Sequence, residues 1–224
     1  MNDPIRCADD IARALRHLAR QDPALRPVID AAGAVPLRRM AGGLPGLCAI
    51  IVGQQVSRAS ADAIFGRLEK HVDLHDHRAI LAMADEDFRR VGLLRPKQRT
   101  FRHIAQACED GDLDFDRLAQ ASGERAVAEL VALSGVGRWS AECYLLFCLG
   151  HPNVFPAGDL ALKAAVATAF GIEPRPKEKD LAAIAQRWAP RRSVAARLFW
   201  AYYAVVTKRD AMPVTGPSGT ALRL

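Results

Sequence analysis

The sequence has no long apolar run and no organised set of cysteines, and each shortage closes off a class of protein. Its most apolar stretches, "CAIIV" and "CYLLFCLG", fall well short of a bilayer span, and the second ends at Gly150 and His151, so no membrane segment is expected. The opening "MNDPIRCADD" lacks the basic region followed by an apolar stretch that marks a secretory signal, which makes a cytoplasmic location the expectation. The five cysteines (Cys7, Cys48, Cys108, Cys143 and Cys148) are odd in number and scattered, with no CxxC or Cys/His zinc spacing. They read as reduced thiols rather than as a disulfide framework. His71, His75 and His77 cluster among aspartates and read as a solvated loop rather than a metal site. Alternating strand patterns, internal repeats and low-complexity blocks are missing too; "HVDLHDH" comes nearest to a strand and is too charged for one.

What remains is a chain of 224 residues, half of them apolar and a quarter charged, long enough to bury a substantial core as one or two domains. A net charge of +6 suits a polyanionic partner without requiring one. The basic residues lie in small groups, Arg38-Arg39, Arg89-Arg90, Arg95-Lys97-Arg99 and Arg191-Arg192, which fits a folded charged face better than a disordered arm.

Apolar residues recur at three- and four-residue spacing almost throughout, and this predicts an all-α protein of about ten helices. "DDIARALRHLARQ" aligns Ile11, Leu15 and Leu18, with Asp9 or Asp10 as the expected cap. The long apolar segment after Pro45 is expected to break or bend near Gly53. "DEDFRRVG" opens on an acidic turn and stops at Gly92, and "PKQRTFRHIAQACEDG" carries Pro96 in its first turn and Gly111 beyond its end. "DAMPVTGPSGTALRL" has turn formers and little periodicity, so a loose tail is expected from about residue 210.

One stretch asks for chemistry. "AVAELVALSGVGRWSAECYLLF" reads as helix, hairpin, helix, with the hairpin at 133–138. Gly135 and Gly137 permit a tight turn, Val136 points inward, and the helix starting at Arg138 leaves its first N–H groups facing a surface without side chains. Such a terminus accepts a phosphate, although an ordinary αα-hairpin would also use glycines this way. Asp159 just before "LALKAAVATAF" reads as a helix N-cap, a place that favours a negative charge.

"LSGVGRWSAECYLL" followed by "VFPAGDLALKAAVATAFG" resembles the helix-hairpin-helix DNA glycosylase superfamily, and within it the alkyladenine (3-methyladenine DNA glycosylase II) branch. "DPALRPVID", "AIIVGQQVSRASADAIFGRL" and "RWAPRRSVAARLFW" resemble further segments of that branch in the same order, so the likeness runs from about Asp22 to Trp200. The resemblance implies two helical lobes with an active-site cleft between them, one at 43–151 holding the hairpin, the other made of 1–42 and 152–224 and holding the acid. It implies a compact form without the additional N-terminal domain of some bacterial relatives, acting as a monomer on double-stranded DNA that contains damaged bases.

The same resemblance assigns the residues. Asp159 is the catalytic carboxylate, which supports an oxocarbenium-like sugar as the base departs. Trp139 stands where superfamily lyases carry a Schiff-base lysine, which implies a monofunctional N-glycosyl hydrolase that leaves the strand intact. Trp139 and Trp200 are placed at the base pocket, with packing in the core as the alternative for each; Cys143 falls where some relatives have an aromatic pocket residue. Gly135, Val136, Gly137, Arg138, Ser140, Gln54 and Gln55 are placed at the DNA, Gln55 filling the gap left by the flipped nucleotide; the alternative for the two glutamines is a helix bend after Gly53 where they satisfy backbone groups. The iron–sulfur cysteine pattern of other members is absent, because no cysteine follows Cys148, so no cofactor is expected. No side-chain metal site is expected either, though the Leu133 and Val136 carbonyls match those that hold a monovalent cation in relatives. The implied substrates are alkylated purines of the 3-methyladenine and 7-methylguanine type, excised in base excision repair. The alternatives are a non-enzymatic helix-hairpin-helix DNA-binding protein and a glycosylase for deaminated or oxidised bases.

Overall fold

Apolar periodicity resolves into thirteen α-helices in a computed structural model that describes residues 3–209, with no strand among the described residues. The tail from 210 onward lies outside the described residues. The described chain forms two units, one of residues 3–39 and 150–209, the other of 40–149. The changeovers fall slightly earlier than the expected 43 and 151, and two backbone hydrogen bonds account for this. Met40 N–H donates to the Phe147 carbonyl (3.0 Å), and Gly150 accepts from Ile5 N–H (2.8 Å), so each residue is tied to its own unit.

The 40–149 unit contains the helices Gly43–Gly53, Arg58–His71, His77–Ala82, Asp85–Val91, Arg95–Glu109, Phe115–Gln120, Gly123–Val131 and Arg138–Tyr144. The expected break after Gly53 is there: the helix ends, residues 54–57 turn, and Ser57 caps the next helix by accepting from Ser60 N–H. Arg138–Tyr144 continues into a π-helical turn, Leu145–Leu149, where the sequence reads as uninterrupted α-helix. Leu47, Ile51, Phe88, Phe101 and Tyr144 are fully buried in this unit. Tyr144 reaches back to accept from Gly43 N–H at 2.9 Å and so fixes the start of the first helix.

The other unit contains Ala8–Gln21, Arg26–Ala32, Leu160–Phe170, Glu178–Ala185 and Arg192–Thr207. The first helix is capped at Cys7 rather than at Asp9 or Asp10. Asp10 is the third helical residue, and its carboxylate accepts from Arg6 N–H and Cys7 N–H. The core is aromatic: Trp188 lies 4.9 Å from Phe199 and 5.4 Å from Phe155, and Phe170 lies 6.0 Å from Phe199, centroid to centroid. Asp22 accepts from Trp188 Nε1–H at 3.0 Å and from Arg187 at 2.9 Å, tying "DP" to "RW" across the sequence. These rings hold Arg192–Thr207 against Leu160–Phe170, the two helices on which the acid depends.

Candidate functional site

Asp159 ends the loop that begins at Gly150 and caps the Leu160–Phe170 helix. Its Oδ1 accepts from Ala161 N–H and Leu162 N–H, both at 2.9 Å, and from Trp200 Nε1–H at 3.1 Å. Three donors on one oxygen fix the plane of the carboxylate, and the helix dipole favours its negative charge. Asp159 is half-buried, whereas Leu160 beside it is 79% exposed.

The preceding loop is clamped by the start of the helix that carries Trp200. Buried Ser193 accepts from Val154 N–H and donates to the Val154 carbonyl, both at 2.9 Å. Arg192 donates to Asn153 at both its side-chain oxygen (2.7 Å) and its carbonyl (3.0 Å). Arg197, one turn further on, donates to the Leu37 and Ser193 carbonyls, and burial together with neighbouring Arg39 works against its charge. The "RSVAARLFW" motif is thus a strut: its first residues grip the loop and its last grips the carboxylate at the loop's end. Arg192 and Ser193 have no assigned role in the sequence reading, because their partners lie 39 residues away.

His151 in the same loop accepts from Asn153 N–H through Nδ1 at 3.1 Å. Burial, reinforced by Arg192, holds this imidazole below its ordinary value, so the neutral acceptor form is favoured.

Trp200, expected at the extruded base, is 1% exposed, and its N–H is given to Asp159. Trp139 is half-buried, and Cys143, one turn away on the same helix, is fully buried.

In the hairpin, Val136 points inward as expected and is 4% exposed, and its N–H donates to the Leu133 carbonyl at 3.0 Å. The two glycines do different work. Gly135 has φ +88, and a side chain there would collide with Thr100. Gly137 is the N-cap of the Arg138 helix with ordinary extended φ, and its Cβ direction is open. Arg138 is exposed and pairs with the buried Glu142 carboxylate at 3.0 Å.

Two of the residues expected at the duplex are bonded to each other. Gln54 Nε2 donates to Ser140 Oγ (2.8 Å) and to the Gly135 carbonyl (3.3 Å), and Ser140 is 2% exposed. The reason is geometric: the turn after Gly53 folds against the hairpin, so the amide and hydroxyl satisfy each other there. Gln55, next along, is exposed and takes a left-handed φ of +56. Among the described residues no group of three or more His, Cys, Asp or Glu gathers as a metal site.

A glycine hairpin that opens one helix, and an aspartate held at the N-terminus of another by a distant tryptophan, give the chain a helix-hairpin-helix element and a fixed carboxylate. Residues 48–191 match the HhH-GPD superfamily of base excision DNA repair proteins, and the chain belongs to that family. It is similar to the probable bifunctional transcriptional activator/DNA repair enzyme AlkA of Mycobacterium tuberculosis, with 31% identity over 208 residues, 83% of this chain and 41% of that protein. The chain therefore spans about two fifths of the length of that relative, 41%. The fold is similar to that of a DNA-3-methyladenine glycosidase from Bacillus halodurans: TM-score 0.74, 30% identity, covering 89% of this chain and 92% of that one. It is also similar to the Schizosaccharomyces pombe 3-methyladenine DNA glycosylase Mag1 bound to abasic DNA: TM-score 0.77, 23% identity, covering 89% and 99%.

Proposed function

We propose that this protein is a monofunctional DNA glycosylase that hydrolyses the N-glycosidic bond of alkylated purines in duplex DNA. The observation that carries the reading is the carboxylate of Asp159, held on a helix N-terminus by two amides and the Trp200 indole. A fixed anion of this kind stabilises the cationic sugar that develops as the base leaves, and it orients the attacking water. In this reading the bonds to Oδ1 hold the carboxylate in place beside the sugar.

The hairpin's contribution is sequence-independent. Phosphate oxygens dock on the bare face at Gly137 and on the N–H groups that open the Arg138 helix. Gln55 enters the stack where the nucleotide leaves. Trp139, the tryptophan with exposed surface, offers the aromatic face for a cationic base, and Cys143 shapes the helix behind it. Trp200 contributes first as the donor that sets Asp159; stacking on a base would further require its ring to be uncovered. A base that already carries positive charge departs without being protonated, so one carboxylate suffices. With Trp139 in place of a lysine, water is the nucleophile and an abasic site in an intact strand is the product. Membership of a base excision repair family and the likeness to a DNA-3-methyladenine glycosidase support this reading.

The test is incubation with methylated duplex DNA, followed by analysis of both the released bases and the strand. Free 3-methyladenine or 7-methylguanine, an alkali-labile but unbroken strand and no borohydride-trapped adduct are expected. Duplex binding without base release would instead indicate a DNA-binding protein, and a trapped adduct a lyase.

A further inference from the structure

The turn that carries Gln55 is held from within by a lysine. Lys97 Nζ donates to the carbonyls of Val52 and Gln54, at 2.7 Å each, at the end of the Gly43–Gly53 helix where carbonyls lack partners of their own. Lys97 is half-buried, and burial lowers its pKa, yet the favourable helix C-terminus and two carbonyls receive its charge. Lysines that bind DNA phosphates keep the ammonium at the surface; this one is turned into the protein.

Three further facts converge on the same place. Gln55 holds a left-handed backbone that side-chain-bearing residues adopt only when their surroundings impose it. Gln54 ties the turn to the hairpin through Gly135 and Ser140. Thr100, one turn after Lys97 on the Arg95–Glu109 helix, fills the space against Gly135 that any side chain would need. One helix start therefore braces the Gln55 turn through Lys97 and the hairpin through Thr100.

We propose that Lys97 is a positioning residue for base extrusion: it holds the Val52–Gln55 turn so that Gln55 projects at a fixed place relative to the phosphate-binding hairpin. This rests on the glycosylase reading above and on Gln55 facing the duplex. The consequence is selective. Fixing the intercalating residue matters when a base must be pulled from an intact stack, and matters little when the base is already unpaired.

The experiment compares single-turnover base release from two duplexes carrying the same methylated purine, one paired and one opposite a gap in the partner strand. Lys97→Met is expected to slow release from the paired duplex roughly tenfold to a hundredfold and from the unpaired one by less than about threefold. Lys97→Arg, which can still donate to both carbonyls, is expected to restore most of the loss. In a Gln55→Ala background, Lys97→Met should add less than about twofold, because the two residues act as one unit. Amide exchange at residues 54–57 of the free protein should quicken in Lys97→Met by about tenfold or more, with the thermal midpoint recorded alongside. Equal losses on both duplexes, additivity with Gln55→Ala, or unchanged exchange in the turn would each overturn the proposal. So would a uniform loss of duplex affinity with a shallower salt dependence, the mark of a phosphate contact. A parent protein that releases no base from either duplex would bring down the glycosylase reading itself, and this proposal with it.

Discussion

The indole N–H of Trp200 lies 3.1 Å from Asp159 Oδ1, across 41 residues of sequence, and is the third donor on that oxygen. The other two are the amides of the helix that Asp159 caps, so they persist whatever happens at position 200. The tryptophan therefore sets the orientation of the carboxylate without being needed to cap the helix.

Trp200→Phe keeps an aromatic ring in the core and removes that donor. We expect kcat for base release to fall about tenfold, equivalent to about 1.4 kcal/mol of transition-state stabilisation, with KM little changed. Single-turnover kinetics beside a thermal melt separate this from a folding defect, for which the lost ring volume predicts about 1–3 kcal/mol.

Ser193→Ala removes both bonds to Val154 from a fully buried site. It leaves a backbone N–H without its acceptor, so a loss of about 1–3 kcal/mol in urea unfolding is expected. Because the loop leads into Asp159, activity should fall more than the global stability loss explains.

Gly135→Ala and Gly137→Ala should part company. At Gly135, positive φ and the contact with Thr100 both oppose a side chain, and a loss of about 2–4 kcal/mol is expected. At Gly137 the space is open, so the fold should lose at most about 1 kcal/mol as a poorer N-cap. Gly137→Ala should nonetheless weaken duplex binding several-fold, measured by titration at fixed salt, because the methyl sits where a phosphate would approach.

His151 makes stability depend on pH in a defined direction. Its folded-state value lies below the ordinary 6.5, so between the two values the unfolded chain binds more protons than the native one. The neutral imidazole's contribution is therefore complete above about pH 6.5 and is lost as pH falls through the folded-state value. Thermal midpoints measured from pH 7.5 down to 5 should drop, and His151→Gln should flatten that drop.

These outcomes also show where the sequence can and cannot be read. The helices, the break after Gly53, the hairpin and the capping Asp159 are local features, written in spacing and cap chemistry over a few residues. The contacts that give the site its geometry are not local: Trp200 to Asp159, Gln54 to Ser140 across 86 residues, and Asp22 to Trp188 across 166. Ser140 and Gln54 read as polar residues beside a phosphate site, and only the packing of the turn on the hairpin reveals that they bond each other. Lys97 sits in the basic group Arg95-Lys97-Arg99, where nothing local marks it as the one that turns inward. The motif "RSVAARLFW" is recognisable as a string, yet its work as a loop clamp depends on partners the string does not contain.

The central claim is that Asp159 supports glycosidic cleavage. The most direct measurement is the single-turnover release of methylated bases from duplex DNA by the parent protein and by Asp159→Asn, with duplex affinity recorded for both. The amide can still accept the N–H groups of Ala161, Leu162 and Trp200 but carries no charge. Base release by the parent, slowed at least about a hundredfold in Asp159→Asn while duplex affinity is kept, is the predicted result. Equal release by the two proteins would contradict it.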